Sequence, residues 1–174
     1  MCGIVGYVGQ QEAAPILLDG LRRLEYRGYD SAGIAVCGDG QLRVKKSRGR
    51  LQVLSDLTHD GADLPGHLGI GHTRWATHGE PNDINAHPHV SQSGRIAVVH
   101  NGIIENYAEL KEQLLHKGYG FRSETDTEVV AQLLDYYYAD CGDIFEAMIR
   151  MLHAVDGAYA LGIICADYPD RLLC

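Results

Sequence analysis

The sequence of 174 residues lacks the features that mark several special classes of protein. Its longest apolar stretch, residues 158–166, is too short to cross a bilayer. No positively charged segment precedes the first apolar residues, as a secretory signal requires. Basic residues number 15 against 23 acidic ones, so the net charge is −8, and an acidic surface repels phosphate backbones. We therefore expect neither a membrane protein nor a partner of nucleic acid.

Cysteine is scarce and forms no recognisable framework. There are five cysteines, with no CxxC pair among them: Cys2, Cys37, Cys141, Cys165 and Cys174. An odd number without a signal peptide predicts free thiols in a reducing cytoplasm. Five histidines cluster along the chain (His72, His78, His87, His89 and His100), but their spacings do not match the short paired spacings of common zinc sites. We expect no metal and no cofactor.

Ordinary composition accompanies these absences. The apolar fraction of 45% and the charged fraction of 22% are typical of a globular protein, and 174 residues correspond to about one domain. Glycine is abundant, with 21 residues, which indicates tight turns and close approaches of backbone. The chain contains no internal repeat and no low-complexity stretch.

Hydrophobic periodicity predicts a mixture of strands and helices. The predicted strands are residues 3–9, 33–37, 41–46, 67–72, 95–100, 158–165 and one from 171; the predicted helices are 12–25, 50–58, 107–117, 126–139 and 144–155. We expect Asn106, Thr125 and Asp143 to cap the last three helices. Strands in hairpin pairs indicate antiparallel sheets covered by helices, which is an α+β fold. Because the chain stops in a predicted strand, we expect a fold that is incomplete at its C-terminus.

The N-terminus carries the first chemical signal. Cys2 follows the initiator methionine, and removal of Met1 leaves a thiol and an α-amine on the same carbon. An α-amine has a pKa of roughly 7.7–8.0, so it can serve as a base near neutral pH. The predicted strand directly behind Cys2 would fix this end of the chain. Position alone leaves a chance cysteine or a lipidation site as alternatives.

Five sequence blocks accompany Cys2 in order: CGIVG at 2–6, LEYRGYDSAG at 24–33, HTRWATHGEP at 72–81, HNGIIEN at 100–106 and SETDTE at 123–128. Together they resemble the glutaminase domain of the class II glutamine amidotransferases, which belong to the N-terminal nucleophile hydrolases. Tyr26, Tyr29 and residues 74–78 resemble the branch that aminates a sugar phosphate more than the phosphoribosyl branch. The resemblance covers essentially the whole chain from residue 2. It implies a four-layer α/β/β/α sandwich.

The residue types in these blocks suit the recognition and cleavage of glutamine. Arg74 can fork two hydrogen bonds onto the α-carboxylate, although a surface salt bridge is the commoner use of an arginine. Asp126 can accept from the α-ammonium or cap its helix. Asn101 and Gly102 can donate N–H groups to an oxyanion. A type I′ turn is the alternative for Asn-Gly, but the sequence that follows is predicted to be helical. The resemblance also implies that Trp75, Thr77 and His78 contact the substrate.

The resemblance therefore implies an enzyme that hydrolyses the side-chain amide of glutamine to glutamate and ammonia. In that branch, a sugar isomerase domain uses the ammonia to make glucosamine 6-phosphate from fructose 6-phosphate. We expect residues 1–174 to be the N-terminal part of the glutaminase domain, with the isomerase domain absent and a homo-oligomer possible. Two alternatives stay open. One is an inactive fragment that at most oligomerises, and the other is an acylase that keeps Cys2 but does not require Arg74 and Asp126.

Overall fold

A computed structural model describes residues 2–28, 30–75 and 80–174. Met1, Tyr29 and the predicted site residues Thr77 and His78 lie outside the described residues. The strands are β1 (Gly3–Val8), β2 (Ser31–Gly38), β3 (Gln41–Arg48), β4 (Leu68–Arg74), β5 (His89–Val90), β6 (Ile96–Ile104), β7 (Gly157–Cys165) and β8 (Leu172–Leu173). The helices are α1 (Ala13–Leu24), α2 (Leu51–Leu57), α3 (Tyr107–His116), α4 (Thr127–Cys141) and α5 (Ile144–Ala154), with a 3₁₀ turn at Glu25–Arg27.

The strands form two antiparallel sheets of four. The first has the order β1-β4-β2-β3 and the second the order β5-β6-β7-β8. The hairpin of β2 and β3 turns at Asp39 and Gly40, both of which have positive φ. Residues 38–40 are the glycine-containing turn that the sequence predicts between two β-rich segments.

Three apolar clusters define four layers, which confirms the α/β/β/α sandwich. Between α1, α2 and the first sheet lie residues such as Leu17, Leu21 and Ile34. Between the two sheets lie small and branched side chains: Ala35, Cys37, Leu68 and Ile70 from the first sheet, and Ala97, Val99, Ile164 and Ala166 at the second. On the outer face of the second sheet, α3, α4 and α5 form the largest cluster.

Helix α1 shows how local sequence forms one of these layers. Leu17 and Leu21 are four residues apart, so they lie on one face of the helix, and both are fully buried. Gly20 lets the same face approach the first sheet, because a Cβ there would come within 2.8 Å of Val5. Burying two leucine side chains is worth roughly 3–6 kcal/mol before entropy is counted.

The structure corrects two of the predicted caps. Asp143 caps α5 as expected, since its carboxylate accepts from the backbone N–H groups of Phe145 and Glu146. Asn106, however, makes no capping bond, and its side chain instead ties the chain near Ala154 and Asp156. Thr125 lies before the start of α4 and its hydroxyl pairs with His89. Tertiary partners take these polar groups away from their helix ends.

The length of β6 is a second point at which the structure differs from the prediction. The sequence predicts that the strand ends at residue 100, with Asn101 and Gly102 following it. In the structure β6 continues to Ile104, and these two residues pair with Ala160 and Tyr159 of β7. The predicted end of the strand at residue 100 is therefore wrong, and so is the alternative of a type I′ turn, whereas the predicted helix follows as α3. Asn101 and Gly102 lie on a paired strand, which is a rigid support.

Candidate active site

The Cys2 side chain lies at the end of β1, beside the end of β4. Gly3 pairs with Thr73 across the ladder, which brings Cys2 next to Arg74 and Trp75. The backbone N–H of Trp75 donates to the Cys2 sulfur, with an N–S distance of 3.2 Å. The side chain is half-buried. The strand pairing therefore holds the thiol at a defined place in contact with solvent.

Arg74 is the last residue of β4 and is 5% exposed. Its backbone pairs with Ser31 of β2, and its carbonyl accepts from the N–H of Asp30. Gly28 packs directly on this backbone, because a Cβ there would lie 3.0 Å from the Arg74 carbonyl. This close approach explains why a glycine stands in the Arg-Gly-Tyr-Asp-Ser block. Arg74 is thus a buried residue on a central strand and not an exposed surface arginine.

Gly102 lines the same cleft from the second sheet, and its neighbour Asn101 contacts Cys2. The Asn101 Nδ2 donates to the carbonyl oxygen of Cys2 at 3.3 Å. Gly102 has a φ of +126°, and a Cβ there would clash with the carbonyl oxygen of Ala158. Only glycine fits this position without strain. The end of β6 thus brings an amide side chain within hydrogen-bonding distance of the Cys2 backbone.

Asp126 precedes α4 at its N-terminus, but it does not cap the helix. One carboxylate oxygen accepts from the backbone N–H of Ile104 at 2.9 Å. The other lies 3.9 Å from Nδ1 of His100, and the side chain is 15% exposed. The capping role considered from the sequence is therefore wrong. The bond to Ile104 fixes the carboxylate beside the end of β6, where part of it still reaches solvent.

Four buried histidines pack beside these residues, and three of them (His72, His87 and His100) line the cleft. The rings of His72 and His87 stack with their centroids 4.3 Å apart, and the ring of His100 lies 6.4 Å from that of His87. Burial lowers the pKa of His72 to about 4 and that of His87 and His89 well below the ordinary 6.5. Burial also lowers the pKa of His100, and the negative charge of Asp126 partly opposes that shift. The cluster is therefore neutral at pH 7.

These elements line a small cleft of about 40 Å³. The residues that line it are Cys2, His72, Arg74, Trp75, His87, His100, Gly102, Thr125, Asp126 and Thr127. Trp75 is 48% exposed and lies at the surface of the cleft. The structure thus brings together Cys2, Arg74, Trp75, Gly102 and Asp126, with Asn101 in contact. Thr77 and His78 lie outside the described residues.

Sequence reasoning missed the histidines and Thr127 as neighbours of the site. It considered the four buried histidines only as metal ligands. A signal was nevertheless present, since His72 and Arg74 are two residues apart on β4, as are His100 and Gly102 on β6. Residues two apart on a strand share a face. Among the residues that the structure describes, no group of three or more His, Cys, Asp or Glu side chains is arranged to hold a metal.

A larger groove lies elsewhere on the molecule. It has a volume of about 790 Å³, and its lining includes Lys45, Lys46, Asp83, Phe121 and Arg122. Its described lining contains neither Cys2 nor any of Arg74, Trp75, Asn101, Gly102 and Asp126. Size alone would favour this groove as a binding site. Among the described residues, however, the Cys2 thiol, the Asn101 amide and the opposite charges of Arg74 and Asp126 lie at the smaller cleft. We therefore place the candidate active site there.

Comparison with known proteins identifies the family of the chain. The glutamine amidotransferase domain family matches residues 40–166, which is most of the chain. The chain belongs to the glutamine amidotransferase family. No helix in the described parts of this glutamine amidotransferase domain is both long and apolar enough to cross a membrane.

Curated relatives resemble the domain over nearly all of its length. The chain is 62% identical over 173 residues to a glutamine–fructose-6-phosphate aminotransferase of Caldanaerobacter subterraneus subsp. tengcongensis. It is 52% identical over 172 residues to the protein of that name from Pyrococcus horikoshii. Each match covers 99% of this chain. The chain spans 28% and 29% of the lengths of these two relatives.

A solved structure shows the same fold. The glutamine phosphoribosylpyrophosphate amidotransferase from B. subtilis superposes with a TM-score of 0.81 and 30% identity, covering 95% of this chain and 35% of that chain. This likeness confirms an N-terminal nucleophile hydrolase fold of the amidotransferase type. Identity to the aminotransferases is about twice as high, which agrees with the choice of branch drawn from residues 74–78.

Proposed function

We propose that this domain hydrolyses the side-chain amide of glutamine to glutamate and ammonia, with Cys2 as the nucleophile. The observation that carries the proposal is the meeting of Cys2, Asn101, Gly102, Arg74 and Asp126 around one cleft. Cys2 directly precedes β1 and Asp126 directly precedes α4, whereas the other three lie on β4 and β6, so only the tertiary fold brings the five residues together.

The first chemical step is attack of the Cys2 sulfur on the amide carbon. After removal of Met1, the α-amine of Cys2 accepts the thiol proton and later passes it to the leaving nitrogen. The C–N bond breaks, ammonia leaves, and a γ-glutamyl thioester remains on Cys2. Water then attacks the thioester, its proton returns through the α-amine to the sulfur, and glutamate is released. The N–H of Trp75 supports this role because it orients the sulfur.

Stabilisation of the oxyanion belongs to Asn101 and Gly102. The Asn101 Nδ2 carries two N–H groups, and one of them already points at the Cys2 carbonyl. The second is available to the oxygen that becomes negative during attack. A donor held beforehand on a paired strand costs little reorganisation, and losing one such donor typically lowers kcat about 10²–10³-fold.

The charged residues of the cleft suit the amino-acid head of glutamine. Arg74 supplies a fork for the α-carboxylate, and Asp126 supplies a carboxylate for the α-ammonium. Trp75, Thr77 and His78 complete the substrate contacts in this proposal. Because Arg74 and Asp126 bind the two charged groups of the amino-acid head, a free amino acid would be preferred over a peptide.

The fate of the ammonia is proposed from the relatives. The relatives are named glutamine–fructose-6-phosphate aminotransferases, which supports transfer of the ammonia to fructose 6-phosphate. In this proposal a sugar isomerase domain of a longer parent chain carries out the transfer. The product is glucosamine 6-phosphate, which serves amino-sugar synthesis. A cytoplasmic location is part of the proposal and is supported by free thiols at all five cysteines. Assembly into a homo-oligomer stays a prediction.

The test is hydrolysis of glutamine by the purified chain. We expect ammonia and glutamate in equal amounts, and complete loss of both in Cys2→Ala. Cys141→Ala is the matched control, because Cys141 is also half-buried but lies at the end of α4, outside the cleft. Equal activity in Cys2→Ala and the wild type would refute the role of Cys2 as the nucleophile.

The same assay separates the alternatives. An inactive fragment releases neither product, whereas an acylase also cleaves γ-acyl substrates that lack the α-carboxylate and α-ammonium. We expect the chain to cleave glutamine and not to cleave substrates that lack the α-carboxylate and the α-ammonium. With fructose 6-phosphate present, this chain alone should make no glucosamine 6-phosphate, because that step is assigned to the isomerase domain.

A further inference from the structure

The orientation of the Asn101 amide is set by its neighbours. An asparagine can present either its oxygen or its NH₂ group to a ligand, and a flip of the amide exchanges them. Here Oδ1 lies 2.8 Å from Nε2 of His72, and Nδ2 lies 3.3 Å from the carbonyl oxygen of Cys2. The two ends of the amide therefore have different partners.

The tautomer of His72 follows from what its ring nitrogens meet. Nε2 faces two oxygens, Oδ1 of Asn101 and the backbone carbonyl of His100 at 3.1 Å. A carbonyl oxygen only accepts, so Nε2 carries the proton. Nδ1 is buried and has no hydrogen-bond partner within the described residues. Because burial keeps the pKa of His72 near 4, the ring holds a single proton at pH 7.

The ring of His72 is itself held in place. β4 is a central strand, and His72 pairs with Ile4 on one side and Gly33 on the other. Its ring stacks on that of His87 with an angle of 25° between the planes. The side chain is 1% exposed, so no solvent competes for its proton.

We propose that His72 is a positioning residue whose Nε2–H holds Oδ1 of Asn101 and directs the NH₂ group of Asn101 to the developing oxyanion. The inference rests on the proposed function, in which Asn101 is an oxyanion donor. A flipped amide would set its NH₂ group against the Nε2–H and its oxygen against the oxyanion. Both contacts are repulsive, so the donor on His72 selects the productive orientation.

Two substitutions at one position test the role. His72→Leu removes the donor but fills the buried space, whereas His72→Gln can place its amide N–H where Nε2–H was. We expect His72→Leu to lower kcat for glutamine hydrolysis about 10- to 100-fold with KM within about twofold, since the lost interaction acts in the transition state. His72→Gln should recover most of kcat.

His89→Leu is the matched control. His89 is equally buried in the cluster, but it bonds to Thr125 and not to Asn101. We expect its kcat to stay within about threefold of the wild type when circular dichroism shows that both leucine variants are folded. An equal loss in both, a change in KM alone, or no rescue by His72→Gln would overturn the positioning role.

A readout that does not need activity separates this inference from the proposed function. Long-range ¹H–¹⁵N NMR of the wild-type chain at pH 7 should show His72 protonated at Nε2 only. The side-chain NH₂ signals of Asn101 should shift in His72→Leu and stay in place in His89→Leu. Protonation at Nδ1, or unmoved Asn101 signals, would overturn the inference even in an inactive chain. Absence of hydrolysis by the wild type would instead refute the proposed function.

Discussion

Acidification should destabilise this fold well before its carboxylates titrate. Burial lowers the pKa of all four histidines at the cleft: His72, His87, His89 and His100. Unfolding returns each ring to water, where its pKa is about 6.5. Below pH 6.5 the unfolded chain therefore binds protons that the native protein does not. Its free energy of unfolding falls as the pH falls from 6.5 toward 4.

The magnitude can be worked out for His72. Lowering its pKa from 6.5 to about 4 corresponds to about 3 kcal/mol of stability, present above pH 6.5 and lost by pH 4. The other three rings act in the same direction. A small domain is stable by only about 5–15 kcal/mol, so the combined loss takes a large share of the total.

The assay is urea unfolding followed by circular dichroism at a series of pH values. Between pH 6.5 and 5 most carboxylates stay ionised, so the slope reports the histidines, with about 1.4 kcal/mol per pH unit for each proton taken up. His72→Gln should make this slope shallower. His116→Gln should leave it unchanged, because His116 is exposed on α3. A flat profile over this range, or a stability that rises on acidification, would refute the reasoning.

Three further predictions concern single side chains. Arg74→Lys should raise KM for glutamine at least tenfold in steady-state assays, because lysine keeps the charge but cannot fork onto a carboxylate; an unchanged KM would assign the carboxylate to another residue. Gly102→Ala should lower the free energy of unfolding by roughly 2 kcal/mol or more, against about 1 kcal/mol for Gly142→Ala, whose added Cβ meets open space. Asp143→Ala should cost about 1 kcal/mol through loss of the α5 cap, with no change in kcat.

Local signals in the sequence predicted the elements whose partners are close along the chain. The leucine spacing of α1, the turn between β2 and β3, and the cap of α5 each depend on residues within a few positions, and the structure confirms all three. Asn106 and Thr125 carry the same capping signal as Asp143. Neither side chain caps its helix, because Asn106 bonds to the backbone near Ala154 and Thr125 bonds to His89.

The sequence predicts which residues belong to the site better than it predicts how these residues are arranged. The motif blocks identified Cys2, Arg74, Gly102 and Asp126, and the structure brings these together. The continuation of β6 through Asn101 was not predictable from a local Asn-Gly signal, because pairing with β7 decides it. Stacking of the buried histidines depends likewise on contacts between the two sheets.

The most direct test of the central claim is to find the acyl group on the proposed nucleophile. The chain is mixed with excess glutamine, quenched in acid within the first turnovers, digested and analysed by mass spectrometry. We expect a γ-glutamyl thioester on the N-terminal peptide that starts with Cys2, absent from Cys2→Ala and from protein that retains Met1. Steady release of glutamate with no acyl group on Cys2, or with the acyl group on another residue, would contradict the account.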